Sequence, residues 1–430
     1  MSTTARSEYL ASLLGGQPAP PASPLAWLNR LRADAVDRAG ALTVPTMRDE
    51  DWRFTDITPI TQTRFQPVRE LPPITESALA QYTLPEAGAR LVFVDGVHAA
   101  HLSHNASGIT VENLAPARQS QGPALEQHLA RHADFGNEVF TALNTAFLHD
   151  GAVVAVPRGI AVERPVHLLF VASRADAVSY PRILVIAEAG SAVTVIEDYV
   201  ALHEGAYLTN AVCEVAVGEN AVVHHVRVQR EHAAAFHIGH CTVDLAHASR
   251  YHSVSVAFGA RISRYNLDVR QQAEGAACSI DGLALIGERQ LADSHTTIEH
   301  IKPHGTSRQL HKCIVDGAAH AVFNGKIMVR PGAQRTDSTQ SSRNLLLTAR
   351  ARVDTKPQLE IFADDVKCAH GATVGQLEAE EVFYLRSRGL SEAAARNLLT
   401  YAFGAEILDR IPVKTLRERL ERIVLDQTNR

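Results

Sequence analysis

Cys368 and His370, a cysteine and a histidine two residues apart, offer the most distinctive chemistry in this sequence. Residues two apart in an extended segment share one face, so the thiol and the imidazole would lie side by side. Such a pair could ligate a soft or borderline metal ion. It could equally be a small core residue beside a hydrogen-bonded histidine, because a single C-x-H spacing is a weak signal. The spacing leaves both interpretations open.

The residues before this pair predict the element that positions it. Leu359, Ile361 and Ala363 alternate along the chain as in a strand with one buried face, and the residues between them are Gln358, Glu360 and Phe362. Continued unchanged, the alternation would turn Asp365 toward the core. We therefore predict that the Asp364–Asp365 pair bends the chain and resets the phase of the strand before the thiol and the imidazole.

The composition predicts a globular protein of about two or three domains. Of 430 residues, 46% are apolar and 21% are charged, and the net charge is −5. That charge favours neither nucleic acid nor an anionic membrane surface as a partner. The longest apolar runs, such as Val166 to Ala172, are too short to span a bilayer. The N-terminus has neither the basic nor the apolar region of a signal peptide.

Cysteine usage agrees with a cytoplasmic setting. The five cysteines are odd in number and widely scattered, which is typical of reduced thiols rather than of a disulfide framework. They are Cys213, Cys241, Cys278, Cys313 and Cys368.

Residues 1–150 are predicted to form a helical and mixed N-terminal domain with a proline-rich arm. The arm ends at about residue 24, and an amphipathic helix follows from Leu25 to Ala41. In PTMRDEDWRFTDI, Trp52 and Phe54 are expected to pin this region to the body of the protein.

Residues 151–375 show a repeat of strands and turns with a period of roughly 27 to 30 residues. Turn-then-strand units recur near Gly190, Gly218, Ala248, Gly275, Gly305 and Gly332. A repeat of this length without helical periodicity predicts one coil of a β-solenoid per unit, each burying its apolar face only by stacking on its neighbours. A sandwich of hairpins is less favoured, because two-residue Asn-Gly or Asp-Gly turns at regular spacing are largely missing.

Residues 376–430 are predicted to form a C-terminal helical domain. A first helix ends at a Gly389 C-cap, and Ser391 is a plausible N-cap for the next. Such helices could cap the open end of a solenoid, or their apolar stripes could bind a partner.

Two enzyme classes fit this sequence less well. FNGKIMV has Gly325-Lys326, but His320 and Ile327 stand where a P-loop needs glycine and Ser or Thr, so no nucleotide site is predicted. Solenoids also carry polysaccharide-cleaving enzymes, and Asp364 with Asp365 could supply their carboxylate pair. Adjacent strand residues point to opposite faces, however, and neither a signal peptide nor an aromatic groove is evident. The hydrolase is the alternative function.

Three motifs between residues 334 and 389 resemble the SufD branch of the SufB/SufD family of the SUF iron–sulfur cluster assembly system. They are QRTDSTQSSRNLLLT, DTKPQLEIFADDVKCAHGATVG and VFYLRSRG, and DEDWRFTDI and LNTAFLHDGAVVAVPRG extend the resemblance more thinly over nearly the whole chain. The resemblance implies a mainly β protein with a right-handed parallel β-helix core between N-terminal and C-terminal helical domains. It also implies a non-catalytic scaffold.

The resemblance further implies partners and site residues. SufB would pair through the β-helix edge, and the ATPase SufC would dock on the C-terminal helices. The family's interface histidine falls on His370 and a neighbouring cysteine on Cys368, implying a metal role for them in a transient iron–sulfur cluster shared with SufB. No nucleotide is expected on this chain, and a homodimer is possible.

Overall fold

A computed structural model describes residues 9–11, 13–15 and 20–428 of the protein, which is mainly β with helices toward both ends. Its strands coil into a parallel β-solenoid of about eight turns, which confirms the predicted fold class. The strands are Gln66–Pro67 (β1), Ala89–Val94 (β2), Val97–His98 (β3), His104–Asn105 (β4), Thr110–Asn113 (β5), Ala152–Val156 (β6), Val166–Ala172 (β7), Ala177–Ser179 (β8), Arg182–Ala187 (β9), Ala192–Ala201 (β10), Leu208–Val217 (β11), Val222–Arg230 (β12), Phe236–Leu245 (β13), Arg250–Ala257 (β14), Ile262–Gln271 (β15), Ala277–Ile286 (β16), Leu291–His300 (β17), Thr306–Val315 (β18), His320–Val329 (β19), Asp337–Leu346 (β20), Arg352–Ile361 (β21) and Lys367–Gly375 (β22).

Each coil contributes one strand to each of two sheets. The odd-numbered strands from β9 to β21 lie side by side in the first sheet, and the even-numbered strands from β10 to β22 do so in the second. The strands pair in parallel, so a residue one coil further on occupies the same position on the same face. Columns of stacked side chains therefore run the length of the solenoid.

The turns between coils stack as well. In each turn that leads from an odd-numbered strand between β9 and β19 to the next even-numbered strand, a residue with a positive φ donates its backbone N–H to a carbonyl one coil further on, over 2.6 to 3.2 Å. The left-handed conformation costs an L residue roughly 1–2 kcal/mol, and the recurring hydrogen bond helps to hold it. The donors are Gly190, Asn220, Ala248, Gly275, His304 and Arg335.

The middle of the second sheet is buried on both faces. In β14, Ser253 shares the interior face with Tyr251, whereas Val254 and Val256 pack outward in a cluster that includes Leu408 and Leu416. The expectation that each coil buries its apolar face only by stacking is wrong here. The helices near the C-terminus cover the outer face, so two hydrophobic layers stabilise this sheet.

The helices pack along the flanks of the solenoid. Most of those before the solenoid cover the outer face of the first sheet, and those after it cover the second. The short helix Glu76–Leu79 is an exception, because its Leu79 packs against Leu169 and Val171 of the second sheet. Trp52 is buried over the first sheet beside the Arg264 guanidinium, as expected of a docking residue. The α-helices are Ala26–Ala41 (α1), Thr58–Thr61 (α2), Glu76–Leu79 (α3), Leu114–Ser120 (α4), Gly122–His128 (α5), Val139–Ala146 (α6), Ala379–Ser387 (α7), Glu392–Leu408 (α8) and Lys414–Thr428 (α9), with short 3₁₀ turns at Glu50–Trp52 and Ala100–Leu102.

The two ends of the solenoid differ. At the N-terminal end, β3 and β4 pair antiparallel with β2, and β5 pairs antiparallel with β6. At the other end, β21 and β22 are the outermost strands of their sheets within the described part of the chain. One expectation was that the C-terminal helices cap this end of the solenoid. They do not, because α8 packs on the flank formed by β16 and β18. The open end is therefore available to another chain.

None of the helices in the described ranges combines the length and the apolar character needed to cross a bilayer.

Candidate functional site

Cys368 and His370 lie on β22, at the open end of the second sheet. They pair in register with Ser338 and Gln340 of β20, both of which are buried in the interior. The structure therefore places the two side chains on one face, where they continue the inner columns of the solenoid. His370 is exposed, because no strand in the described residues stacks beyond β22.

The Cys368 thiol is half-buried. It packs against Ile327 and Val329 of the first sheet and against Ala333. Burial raises the pKa of this thiol, and the charge of Asp337 adds to the rise. The neutral thiol is therefore favoured, which suits a supporting side chain better than a free nucleophile.

A polar column leads inward from His370. Gln340 donates to the Gln309 side-chain oxygen at 2.8 Å, and Gln309 donates to the Thr296 hydroxyl at 2.8 Å. Gly325 makes room for this column, because a Cβ there would lie 2.1 Å from the amide nitrogen of Gln340. The side chains beneath the imidazole are thus fixed amides rather than apolar packing.

The backbone at this end is only half paired. Arg352 donates to Ala319 of the coil below, and Phe362 donates to Val329, at 3.0 and 2.9 Å. Because backbone groups of successive residues point alternately to the two sides of a strand, the odd-numbered residues of β21 point to the free edge. Pro357 is one of these odd-numbered residues, so the N–H that proline lacks would not have paired with β19.

The edge of β22 follows the same rule with the opposite parity. Lys367 donates to Thr336 at 2.8 Å, so the even-numbered residues face outward. His370 is among them, and its backbone N–H and C=O point to the free edge.

The bend predicted at Asp364 and Asp365 is present between β21 and β22. Both residues are exposed. Asp365 receives a hydrogen bond from Arg335 on its carbonyl and lies 3.7 Å from the guanidinium of that arginine. This is an ordinary surface ion pair, and nothing in the arrangement favours the hydrolase alternative.

A second constellation, which the sequence reasoning missed, lies in the interior. Ligand atoms of Cys213, His225 and Cys241 all fall within 4.8 Å of one another, and all three residues are buried. Cys213 and Cys241 are register partners on β11 and β13, and His225 reaches them from β12 in the opposite sheet. The two cysteines are 28 residues apart (241 minus 213). That separation is one period of the repeat, so it could have signalled their contact.

Both ring nitrogens of His225 are engaged. Its Nε2 lies 2.8 Å from the Glu197 carboxylate, and its Nδ1 lies 2.7 Å from the Tyr251 hydroxyl. Tyr199 donates to the second oxygen of Glu197 at 2.9 Å. A carboxylate, an imidazole and two thiols thus share one closed, aromatic-lined space.

Three of the groups in this space favour their charged forms although they are buried. Burial alone would raise the pKa of Cys241, but hydrogen bonds from Cys213 and His225 outweigh it and hold that pKa at about 6. Burial would lower the pKa of His225, but Glu197 raises it to about 10. Burial would raise the pKa of Glu197, but His225 lowers it to about 2. Thiolate, imidazolium and carboxylate are therefore the favoured forms.

A neighbouring network satisfies a buried arginine. Arg227 donates to His237 Nε2 at 2.7 Å, and its guanidinium lies over the Tyr265 ring. His237 Nδ1 in turn donates to Glu231 at 2.6 Å. Burial lowers the pKa of His237, so the ring is neutral and one nitrogen can accept while the other donates.

Two family models match most of the chain. A family model described as the SufBD core domain of the SUF iron–sulfur cluster assembly system matches residues 170–403. A second model, for the N-terminal region of SufBD proteins, matches residues 21–168.

Similar proteins include an iron–sulfur cluster assembly SufBD family protein of Synechocystis, which is 42% identical, with 92% of this chain and 90% of that protein covered. SufD of Escherichia coli is 34% identical, with 88% of each chain covered. SufD of Bacillus subtilis is 25% identical, with 93% of each chain covered.

Proposed function

The chain belongs to the SufBD family of the SUF iron–sulfur cluster assembly system, and we propose that it is a non-catalytic scaffold subunit of the assembly complex. In this proposal it pairs with SufB through the open end of the solenoid and binds the ATPase SufC through its C-terminal helices. His370 then contributes a ligand to a nascent cluster at the interface with SufB.

The observation that carries the proposal is the free edge at β21 and β22. Unpaired backbone groups line both strands, and natural proteins usually cover or blunt such an edge. Apolar side chains are exposed beside them: Ile361 by 40%, Phe362 by 58% and Val374 by 48%. A second solenoid joined edge to edge would satisfy the backbone groups and bury these side chains.

The position of His370 suits a shared ligand. Iron–sulfur clusters usually need about four ligands, mostly thiolates, so one imidazole is a poor site by itself. At an interface it can complete a set whose thiolates come from the partner. Imidazole also binds more weakly than thiolate, which suits a cluster that must be handed on. Cys368 is proposed as a helper, because burial favours its neutral thiol.

The C-terminal helices offer a surface for SufC. Phe383 and Tyr384 on α7 are 72% and 56% exposed, although large aromatic side chains are usually buried. Exposed aromatic anchors of this kind are typical of protein interfaces. In the proposal the ATPase activity resides in SufC, and the isolated chain neither binds nor hydrolyses ATP.

The proposal places the protein in the cytoplasm, where its five free cysteines would stay reduced. The same edge could join two copies of this chain when SufB is scarce, since strand addition depends chiefly on backbone groups.

Anaerobic reconstitution of the purified complex tests the ligand assignment. The chain is co-expressed with SufB and SufC, and iron and sulfide are added while absorbance is followed. We expect His370→Ala to assemble and to support normal ATPase activity, yet to build little or no cluster. Cys368→Ser should be milder. His247→Ala is the matched control, because that histidine is also exposed but lies in a distant turn.

Two outcomes would contradict the proposal. If this chain purifies without SufB and SufC from cells that express all three proteins, the scaffold proposal is wrong. Normal cluster formation and normal maturation of iron–sulfur enzymes in His370→Ala cells would assign that residue a structural role only.

A further inference from the structure

We propose that Cys213, His225 and Cys241 form a metal site inside the solenoid, which binds one thiolate-seeking divalent cation, Zn²⁺ or Fe²⁺. This site is separate from the cluster position proposed at the open end. His225 stands in the same column as His370 but five coils away, a distance of about 24 Å at a strand spacing of about 4.8 Å.

The first argument is the donor set. Two thiols and one imidazole are ligands that Zn²⁺ and Fe²⁺ prefer, and three protein ligands leave one position for water or the adjacent carboxylate. Tetrahedral ligands about 2.0–2.3 Å from a metal lie roughly 3.3–3.8 Å apart. Since these three ligand atoms already lie within 4.8 Å of one another, small rotamer changes would close the site.

The second argument is the surrounding shell. Metal-bound histidines usually donate their other N–H to a carboxylate, which fixes the ring. His225 has this partner, since Glu197 lies 2.8 Å from Nε2 and is itself held by Tyr199. Tyr251 occupies Nδ1 and would yield that nitrogen to the metal. Its neutral hydroxyl is easier to displace than the carboxylate.

The third argument is that the fold does not need polar residues at these positions. In the coil before the cluster, Ile183 stands in register with Cys213, and Val195 with His225. In the coil after it, Leu267 stands in register with Cys241. Apolar side chains thus fill the cysteine column on both sides of the pair and the histidine column on one side, and Ser253 follows His225 on the other. Buried thiol, imidazole and carboxylate groups carry a desolvation cost that a bound cation would offset.

Cobalt provides the test, because it replaces Zn²⁺ at such sites and thiolate ligation gives intense charge-transfer absorption. The full chain is expressed in medium with Co²⁺ in place of Zn²⁺, since a closed site loads as the chain folds. We expect about one cobalt per chain with thiolate-to-cobalt absorption. Metal analysis of protein grown in ordinary medium then distinguishes zinc from iron.

Single substitutions assign the ligands. Cys213→Ser and Cys241→Ser should each lose the charge-transfer absorption and most of the metal. Cys278→Ser is the matched control and should keep both, because this buried thiol of the same core accepts a hydrogen bond from the Gln271 amide and lies outside the group of three ligand atoms. Glu197→Gln should weaken metal binding roughly 10–100-fold, and Tyr251→Phe should retain it. His370→Ala should also retain it, which separates this site from the cluster proposal.

Three results would overturn the assignment. One is unaltered protein that folds in cobalt medium without bound cobalt. Another is a Cys213–Cys241 disulfide in anaerobically prepared protein, found by counting free thiols under denaturing conditions. The last is equal metal content in Cys241→Ser and Cys278→Ser. Because a serine variant could fail to fold, a second test uses the unaltered protein. The protein is unfolded in guanidinium, and a chromogenic chelator must then detect about one equivalent of released metal per chain.

Discussion

At the scale of single residues, buried ion pairs attach the N-terminal region to the first sheet. The Arg264 guanidinium lies 3.9 Å from the Trp52 ring centroid and donates to the Asp51 carbonyl at 2.8 Å. It also pairs with Asp293, which accepts a hydrogen bond from Thr55. Burial would raise the pKa of Asp293, but Arg264 outweighs burial and holds that pKa well below its usual range. The pair is therefore charged and buried.

Asp293→Ala should leave the Arg264 charge buried without its partner. Breaking one side of a buried pair costs about 3–5 kcal/mol, and the loss should appear in guanidinium unfolding followed by circular dichroism. The control is Asp337→Ala, which breaks an exposed pair with Arg308 and should cost about 0–1 kcal/mol. Equal losses for the two variants would show that the Arg264 pair contributes no more than a surface contact.

The stability of the chain in acid should depend on Asp244. Burial would raise its pKa, but hydrogen bonds from His132, Arg270 and Gln272 outweigh burial and lower it from 3.8 to about 2. A carboxylate with a depressed folded-state pKa contributes stability that is present above about pH 4 and is lost as the pH falls through about 2. The contribution is about 2–3 kcal/mol.

Asp244→Asn should remove this contribution to the free energy of unfolding. Unfolding free energies of the variant and the unaltered chain, measured at steps from pH 6 to pH 2, should differ most at the upper end and converge toward the lower. A constant difference across that range would argue against the ionised Asp244 as its source.

At the scale of secondary-structure elements, the C-terminal helices have two different faces. Residues of α8 and α9, with Ile411 and Val413 between them, cover the outer face of the second sheet in one cluster with Val226 and Leu283. Removing all residues after Gly375 would expose that cluster, so a truncation cannot separate partner binding from folding. The exposed face of α7 can be changed without touching the cluster.

Phe383→Asp should weaken SufC binding by tenfold or more while leaving circular dichroism and the unfolding midpoint unchanged. Because Phe383 is 72% exposed, its replacement should affect an interface and not the core. An aromatic anchor at an interface contributes about 2 kcal/mol or more to binding. Titration calorimetry with purified SufC measures the affinity. Val36→Asp, at an exposed apolar position on α1, controls for added charge, and equal weakening by both variants would rule out a specific contact at α7.

At the scale of the whole molecule, the solenoid is a rod with one closed end and one open end. Antiparallel strands close the N-terminal end, and two half-paired strands form the open one. Nothing intrinsic to the coils stops further strand addition there, because each coil pairs only with its neighbours. Association at this end is the simplest way for the molecule to complete its two sheets.

Ile361→Pro should weaken pairing with SufB but leave the isolated chain stable. Ile361 is odd-numbered in β21, so proline removes an N–H that faces the free edge rather than one bonded to β19. Glu360→Pro is the contrasting variant. It removes a backbone N–H that faces β19 within the same chain, so it should lower the free energy of unfolding. Size-exclusion chromatography of mixed subunits measures pairing, and unchanged elution of Ile361→Pro with SufB would place the interface elsewhere.

The sequence by itself determined the solenoid, because a period of about 28 residues with alternating strands admits few other architectures. It also placed Cys368 and His370 on one face, since residues two apart in a strand point to the same side. The tertiary structure decided which side of each strand is the interior. Both faces of the second sheet carry apolar residues, so alternation cannot distinguish the inside from the side covered by helices.

The same limit explains the buried cluster. The spacing of Cys213 and Cys241 follows from the repeat, but the approach of His225 depends on how the two sheets face each other across the interior. That relation is set by the geometry of the turns and by packing between coils, and the turn residues in the sequence mark only where the turns lie. The flanking position of the C-terminal helices was decided in the same way, by an apolar outer surface on the second sheet that only the folded solenoid presents.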